Sequence, residues 1–232
     1  MEFSGFQKLD LVNYPSHVAA SVFTGGCNLR CPYCHNPELA RGISQERYPE
    51  EEILEYLSKR KAMLEGLVIS GGEPTLHHGL ASFISKVREL GLDVKLDTNG
   101  LRPDVLKDLL KNNLLDYVAV DIKGPAQTYA VLGAKQDATE IMALMKESLD
   151  ALRAWSDKAW EVRTTYLEQL IPDSDIPAMV ALAGQVPVWH LQAFNPAVTL
   201  DGEWGSYSSP TAEKLEQVAS LMADLGVNVK IR

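Results

Sequence analysis

Short apolar, β-branched runs alternate along this chain with stretches of helical periodicity. The strand-like runs lie at residues 17–24, 66–70, 93–98, 117–122, 160–167 and 186–194, with a short last one at 227–231. Between them the apolar spacing changes from two to between three and four. Pro49 opens a helical segment with Glu50, Glu51 and Glu52 at its start and Lys59, Arg60 and Lys61 at its end, a polarity that suits the helix dipole, while Ile53, Leu54 and Leu57 form its apolar face. Leu80, Phe83, Ile84, Val87 and Leu90 mark a second helix that stops at Gly91. Others are predicted from Pro103, over 139–155, and from a Ser209-Pro210 cap through Leu215, Val218, Leu221, Met222 and Leu225 to Gly226.

Alternation of this kind implies parallel strands joined by helical crossovers. About six such units fit 232 residues, so the predicted fold is α/β, a partial, open (β/α)6 barrel. No linker, repeat or low-complexity stretch interrupts it, which gives one expected domain over 1–232. In such a fold reactive side chains sit at the C-terminal ends of the strands and in the loops that follow.

Composition narrows the function classes. With 46% apolar residues the chain is not a disordered one. Its 22 Lys and Arg stand against 31 Asp and Glu, a net charge of −9, and so acidic a surface repels phosphate backbones and anionic lipid. Neither nucleic acid nor membrane is expected as a partner. No apolar run reaches the roughly 18–20 residues of a membrane helix. Met1-Glu2-Phe3-Ser4-Gly5 lacks the basic and apolar regions of a secretion signal, so the expected compartment is the cytoplasm.

All 3 cysteines fall in one segment, Cys27-Asn28-Leu29-Arg30-Cys31-Pro32-Tyr33-Cys34. An odd, clustered set without a secretion signal opposes a disulfide framework. Gly25-Gly26 before the first thiol and Pro32 inside the segment oppose a helix, since proline there would cost about 3 kcal/mol. A loop curled around a metal centre remains. Structural zinc takes four protein ligands, and His35, directly after Cys34, is poorly placed as the fourth. Soft thiolates also suit iron–sulfur clusters, and three of them leave one iron open to a ligand that is not protein.

Cys27-x3-Cys31-x2-Cys34, with an aromatic residue before the last cysteine, resembles the signature of the radical S-adenosylmethionine superfamily. The resemblance implies that Cys27, Cys31 and Cys34 hold a [4Fe–4S] cluster whose open iron chelates S-adenosylmethionine, and that one electron then cleaves the sulfonium to a 5′-deoxyadenosyl radical. Gly5-Phe6-Gln7-Lys8-Leu9, Asn13-Tyr14-Pro15, Phe23-Thr24 and the run from Cys27 through Cys34-His35-Asn36-Pro37-Glu38-Leu39 resemble the activating enzymes of glycyl radical enzymes. Among these the sequence is most similar to the longer form of the anaerobic ribonucleoside-triphosphate reductase activating proteins. The likeness runs from Gly5 to about Leu167 and weakens beyond.

Strand-end motifs follow in the order such a site needs. Gly71-Gly72-Glu73 closes the second run: glycines permit close backbone approach, Glu73 offers acceptors to an ammonium group, and the resemblance implies contact with the cosubstrate's amino group. Asp97, Thr98 and Asn99 close the third, and Asp121 and Lys123 the fourth, where an unpaired Asp121 charge would be costly in its apolar run. By resemblance, Asp97, Thr98 and Asp121 hold a monovalent cation, Na⁺ or K⁺, beside the methionine carboxylate, with Lys123 close to that carboxylate. Arg163 reads either as a bidentate carboxylate partner or as one half of a buried ion pair. Gln192 offers an amide to the ribose, at a strand end where the pyruvate formate-lyase activases carry a histidine instead, and Tyr33 lies near adenine by resemblance. His35, His77, His78 and His190 read as structural or surface residues.

What the resemblance implies is abstraction of one hydrogen from a backbone glycine of a partner, most closely anaerobic ribonucleotide reductase, with flavodoxin or ferredoxin as electron donor. No acid or base of this chain is needed. Three alternatives stay open: activation of pyruvate formate-lyase or another glycyl radical enzyme, a radical reaction on a small molecule such as a deazapurine, and a zinc-binding interaction module without catalysis.

Overall fold

The structure, a computed structural model, describes residues 1–155 and 159–232. Six strand–helix repeats run along the chain. Strands Ala19–Thr24, Gly66–Gly71, Asp93–Thr98, Tyr117–Asp121, Ala159–Tyr166 and Trp189–Ala193 lead in turn to the helices Glu50–Arg60, Leu80–Glu89, Pro103–Lys111, Ala138–Ala154, Ile176–Ala183 and Ala212–Asp224. Contacts divide the chain into two compact units, the first made of Met1–Asn28, Glu38–Thr98 and Asp104–Val118, the second of Leu29–Pro37, Asn99–Pro103 and Ala119–Arg232.

In the first unit Ala19–Thr24 pairs in parallel with Gly66–Gly71, and Gly66–Gly71 with Asp93–Thr98. Thr24 stands opposite Gly71 and Ile69 opposite Leu96, so the C-terminal ends of these strands finish side by side. Their near-continuous apolar burial is what a sheet covered on both faces requires. Ile53 and Leu57, Leu80, Phe83, Ile84 and Val87 are the buried faces of the helices, as their spacing predicts. Gly66 has a packing reason: a side-chain carbon there would run into the ring of Tyr14 and the carbonyl of Asp93.

The first unit also holds a strand that the periodicity does not show. Gly5–Asp10 pairs antiparallel with Ala19–Thr24, and its middle residues are exposed, Leu9 included. A strand with one exposed central run has no alternation to read. Its turn is built on Asp10, which is buried: Oδ1 accepts from the backbone N–H of Val12 and of Asn13, both at 2.9 Å, and Oδ2 accepts from Asn13 Nδ2 at 2.6 Å and from the Ser21 hydroxyl. Burial opposes the charge, but the bonds from Ser21, Asn13 and Val12 outweigh it and hold the carboxyl below its ordinary pKa. That contribution to stability is complete above the unfolded-state pKa and is lost as pH falls through the folded one. Asp10→Ala is expected to cost about 3 kcal/mol at neutral pH and to flatten the acid limb of a pH–stability curve measured by urea unfolding.

In the second unit Ala159–Tyr166 pairs in parallel with Trp189–Ala193, with Val162 opposite Trp189 and Tyr166 opposite Ala193, and Val229–Ile231 pairs with the same strand from its other side. Trp189, fully buried, donates through Nε1 to Thr164 Oγ1 at 3.0 Å, and that hydroxyl donates to the Ile122 carbonyl at 2.6 Å. Two of the expected boundaries shift for a plain physical reason. The strand expected from residue 186 begins at Trp189, after Pro187, which has no N–H for a ladder. The cap expected at Ser209-Pro210 is Thr211, whose hydroxyl accepts from Lys214 N–H at 3.1 Å.

Candidate active site

Cys27 follows directly from the end of Ala19–Thr24 through Gly25 and Gly26. Gly26 has φ +86°, and its N–H donates to the Leu39 carbonyl at 2.7 Å. Its own carbonyl accepts the N–H of Glu73 at 2.9 Å, while Gly72 N–H donates to the Thr24 carbonyl at 2.9 Å. His77 Nε2 stands 3.0 Å from the Gly25 carbonyl. The loop after one strand is therefore laced to the loop after its neighbour. A side-chain carbon on Gly71 would strike the Thr24 backbone, and one on Gly72 the Gly26 carbonyl. These glycines, read in the sequence as room for a ligand, are needed first so that two backbones can cross.

Glu73 is 1% exposed, and its Oε1 accepts from Thr75 N–H at 3.1 Å, Thr75 Oγ1 at 2.6 Å and Thr98 Oγ1 at 2.7 Å. The structure thus brings Glu73 and Thr98 together, and the carboxylate fixes two strand ends besides offering charge. Asp97 lies beside Thr98, its Oδ1 2.5 Å from Lys95 Nζ. Lys95 was not singled out by the sequence reading. Residues two apart on a strand share a face, which allows the Lys95–Asp97 pair without requiring it.

In the second unit residues 29–36 form an irregular loop. Arg30 N–H donates to the Leu132 carbonyl at 2.7 Å, Cys34 N–H to the Cys31 carbonyl at 3.0 Å, and Asp201 N–H to the Pro32 carbonyl at 3.0 Å. Cys31 is buried, Cys27 and Cys34 are half-buried, and none of the three is in a disulfide. Tyr33 is buried, its ring 6.2 Å from that of Trp204, and its hydroxyl has no hydrogen-bond partner among the described residues. Burial pushes this phenol well above its ordinary pKa, with the charge of Cys31 next in effect and Lys123 opposing. Tyr129, pushed up to about 12 mainly by burial, accepts the backbone N–H of Lys123 at 3.2 Å.

Asp121, Lys123 and Arg163 form one ionic group. Arg163 Nε donates to Asp121 Oδ1 at 2.9 Å and Lys123 Nζ to Oδ2 at 3.1 Å. Burial would strip the proton from Lys123, yet Asp121 first, then Cys31 and Tyr33, hold its ammonium well above the ordinary range. Asn99 Oδ1 accepts Leu101 N–H at 3.1 Å, turning the chain after its strand, and Gln192 stands opposite Thr165. His190 Nε2 lies 3.2 Å from Glu161 within the second unit. Among the described residues no three His, Cys, Asp or Glu side chains are grouped as a single metal ion would need. Three cysteines outside any disulfide at this sequence spacing, with a cationic lysine coupled to Cys31, fit an iron–sulfur cluster by the chemistry of the donor set.

The pattern of the radical SAM superfamily matches residues 21–182. A protein of Methanocaldococcus jannaschii named "Putative glycyl-radical enzyme activating enzyme" is 31% identical over 235 aligned residues, covering 99% of this chain and 95% of that one. The pyruvate formate-lyase-activating enzyme of Clostridium pasteurianum is 32% identical over 122 residues, half of each chain. In structure the chain is similar to Streptococcus suis SuiB bound to S-adenosylmethionine, with a TM-score of 0.67, 15% identity and coverage of 90% of this chain and 48% of that one. The chain belongs to the radical SAM superfamily and, through its near-full-length relative, to the activating enzymes of glycyl radical enzymes. The structural likeness shows the fold, the α/β architecture that the strand–helix alternation predicts.

Proposed function

We propose that this chain, as a single radical SAM domain over 1–232 acting in the cytoplasm, installs a glycyl radical on anaerobic ribonucleoside-triphosphate reductase, with flavodoxin or ferredoxin as electron donor. The observation that supports the activase class is the relative matched over almost the whole chain; the reductase as its partner rests on the sequence resemblance. Cys27, Cys31 and Cys34 would hold a [4Fe–4S] cluster, which when bound supplies the single electron that opens S-adenosylmethionine. The rest falls to side chains. Gly71, Gly72 and Glu73 present the edge for the cosubstrate's amino group, and Lys123, kept cationic by Asp121, faces its carboxylate end. Arg163 holds Asp121 in place, Tyr33 and Gln192 border the adenosyl part, and Asn99 turns the chain out of its strand. Among the described residues no helix is long and apolar enough to cross a membrane.

Reconstituted protein, reduced with S-adenosylmethionine in the presence of either anaerobic ribonucleotide reductase or pyruvate formate-lyase, separates the partners. A glycyl doublet in electron paramagnetic resonance is expected with the reductase. A doublet with the lyase alone would reassign the partner, and 5′-deoxyadenosine without a doublet on either would point to a small-molecule substrate.

Glu73 can be tested without confusing its two duties. Glu73→Gln keeps an oxygen to accept from Thr75 and Thr98 while removing the charge. It is expected to keep the wild-type melting temperature and weaken S-adenosylmethionine binding by about 10–100-fold, the value of one charge-assisted bond. Glu73→Ala is expected to lose both binding and stability, since the donors of Thr75 and Thr98 are left buried.

A further inference from the structure

The two long strands of the second unit end side by side, Tyr166 opposite Ala193, and open into two loops, 167–175 and 194–208. The second of these loops reaches the cysteine segment. Asp201 N–H donates to the Pro32 carbonyl at 3.0 Å, and the Trp204 ring lies 6.2 Å from that of Tyr33. Lys214, at the start of the helix that follows, ties the first loop to the same rim, its Nζ 2.7 Å from Asp173 and 3.5 Å from Glu168. In a fold of this kind, that end of the strands is where the chemistry takes place.

Segment 195–208 is largely exposed, and it presents aromatic surface rather than hiding it. Tyr207 is 37% and Val198 49% exposed, and the Tyr207 ring meets the half-buried Trp204 edge-on, centres 5.3 Å apart. The turn that carries this pair holds its own shape. Asp201 Oδ1 accepts Glu203 N–H at 3.1 Å, Trp204 N–H donates to the Asp201 carbonyl at 3.1 Å, and Ser206 Oγ donates to the Glu203 carbonyl at 2.7 Å. Tryptophan and tyrosine on a pre-shaped turn are the material of binding hot spots, since little freedom is lost when a partner covers them. The charge around them has one sign. Glu168, Asp173, Asp175, Asp201 and Glu203 lie in the two loops, which contain no Lys or Arg.

That sign decides the occupant. A phosphate backbone or an anionic lipid surface would be repelled, and a second copy would bring the same carboxylates face to face. A basic polypeptide segment would be attracted. We propose that Val198, Trp204 and Tyr207, ringed by these carboxylates, dock the segment of the glycyl radical enzyme that carries the target glycine, recognised by an apolar side chain with a Lys or Arg beside it. The identity of the occupant rests on the activase reading; the preference for a cationic polypeptide rests on the surface alone. Glu203 and Tyr207 set which partner is accepted, not how S-adenosylmethionine is held.

The test measures binding to anaerobic ribonucleotide reductase and to pyruvate formate-lyase, together with glycyl radical formation on each. It compares reconstituted wild type with Tyr207→Ala, Glu203→Lys and, as a control, Glu216→Lys, an exposed charge reversal on the helix Ala212–Asp224. Tyr207→Ala and Glu203→Lys are each expected to weaken binding to the enzyme that the wild type activates, and to raise its half-saturating concentration, by about tenfold. Wild-type affinity is expected to fall as salt is raised, and that of Glu203→Lys to fall less. Without any partner, 5′-deoxyadenosine formation is expected to match wild type in every variant, and Glu216→Lys to match it throughout. Wild-type binding and activation by both Tyr207→Ala and Glu203→Lys would overturn the proposal, as would an equal loss in Glu216→Lys or a wild type that binds neither enzyme. Binding that weakens in both loop variants but yields no doublet even with wild type would support the docking surface and overturn the activase reading instead.

Discussion

Cys31→Ala is expected to yield a folded protein that assembles no cluster and cleaves no S-adenosylmethionine. Cys31 is the buried member of the three thiols, and its charge is felt by both Lys123 and Tyr33. The turn around it is made by the backbone, Cys34 N–H to the Cys31 carbonyl, which alanine leaves in place. Losing one sulfur from a packed position should therefore cost only about 1 kcal/mol in stability. Removing one of three thiolates from a centre that has no spare cysteine should abolish iron and sulfide retention outright. Iron analysis, 5′-deoxyadenosine assay and thermal unfolding on one preparation check all three parts. Retained iron with normal cleavage would contradict the ligand assignment.

Gly72→Ala is expected to be the most damaging single change outside the cysteines. Its new methyl group would overlap the Gly26 carbonyl, which is backbone and already accepts the Glu73 N–H. Neither partner is a flexible side chain that can swing away. The two loops must separate, breaking the bonds Gly72 to Thr24 and Glu73 to Gly26 and releasing the loop that carries Cys27. A loss of about 3 kcal/mol or more is expected, with S-adenosylmethionine binding lost as well. Two other glycines serve as controls. Gly26→Ala meets no neighbouring atom and bears only the strain of its positive φ, about 1–2 kcal/mol. Gly202→Ala, in open space, should be nearly silent in urea unfolding.

These two sites also show what a sequence can and cannot disclose. The thiols and the Gly-Gly-Glu run were legible because their chemistry is carried by residue type and spacing, and the strand–helix repeat because apolar periodicity reports burial. Gly5–Asp10 escaped because an edge strand with exposed Leu9 shows no alternation. The role of Gly71 and Gly72 was half legible: the need for closeness was evident, but its object, another backbone, is a tertiary fact. The partnership of Asp121 with Arg163 joins residues 42 apart, which no local pattern marks. Lys95 was lost for a different reason. A lysine within an apolar run reads as a strand's solvent face, and its burial beside Asp97 is a tertiary fact.

Gly26 is held from two directions, by its N–H on Leu39 and by its carbonyl under Glu73. A thiol loop braced by such bonds is ordered by the polypeptide itself, so assembling the inorganic centre demands little further loss of chain entropy. Folding and metallation are in that case separate events, unlike small zinc domains that collapse only around their ion. The expected consequence is an apoprotein that keeps this braced loop and takes up iron and sulfide without refolding, which far-ultraviolet circular dichroism before and after reconstitution would check.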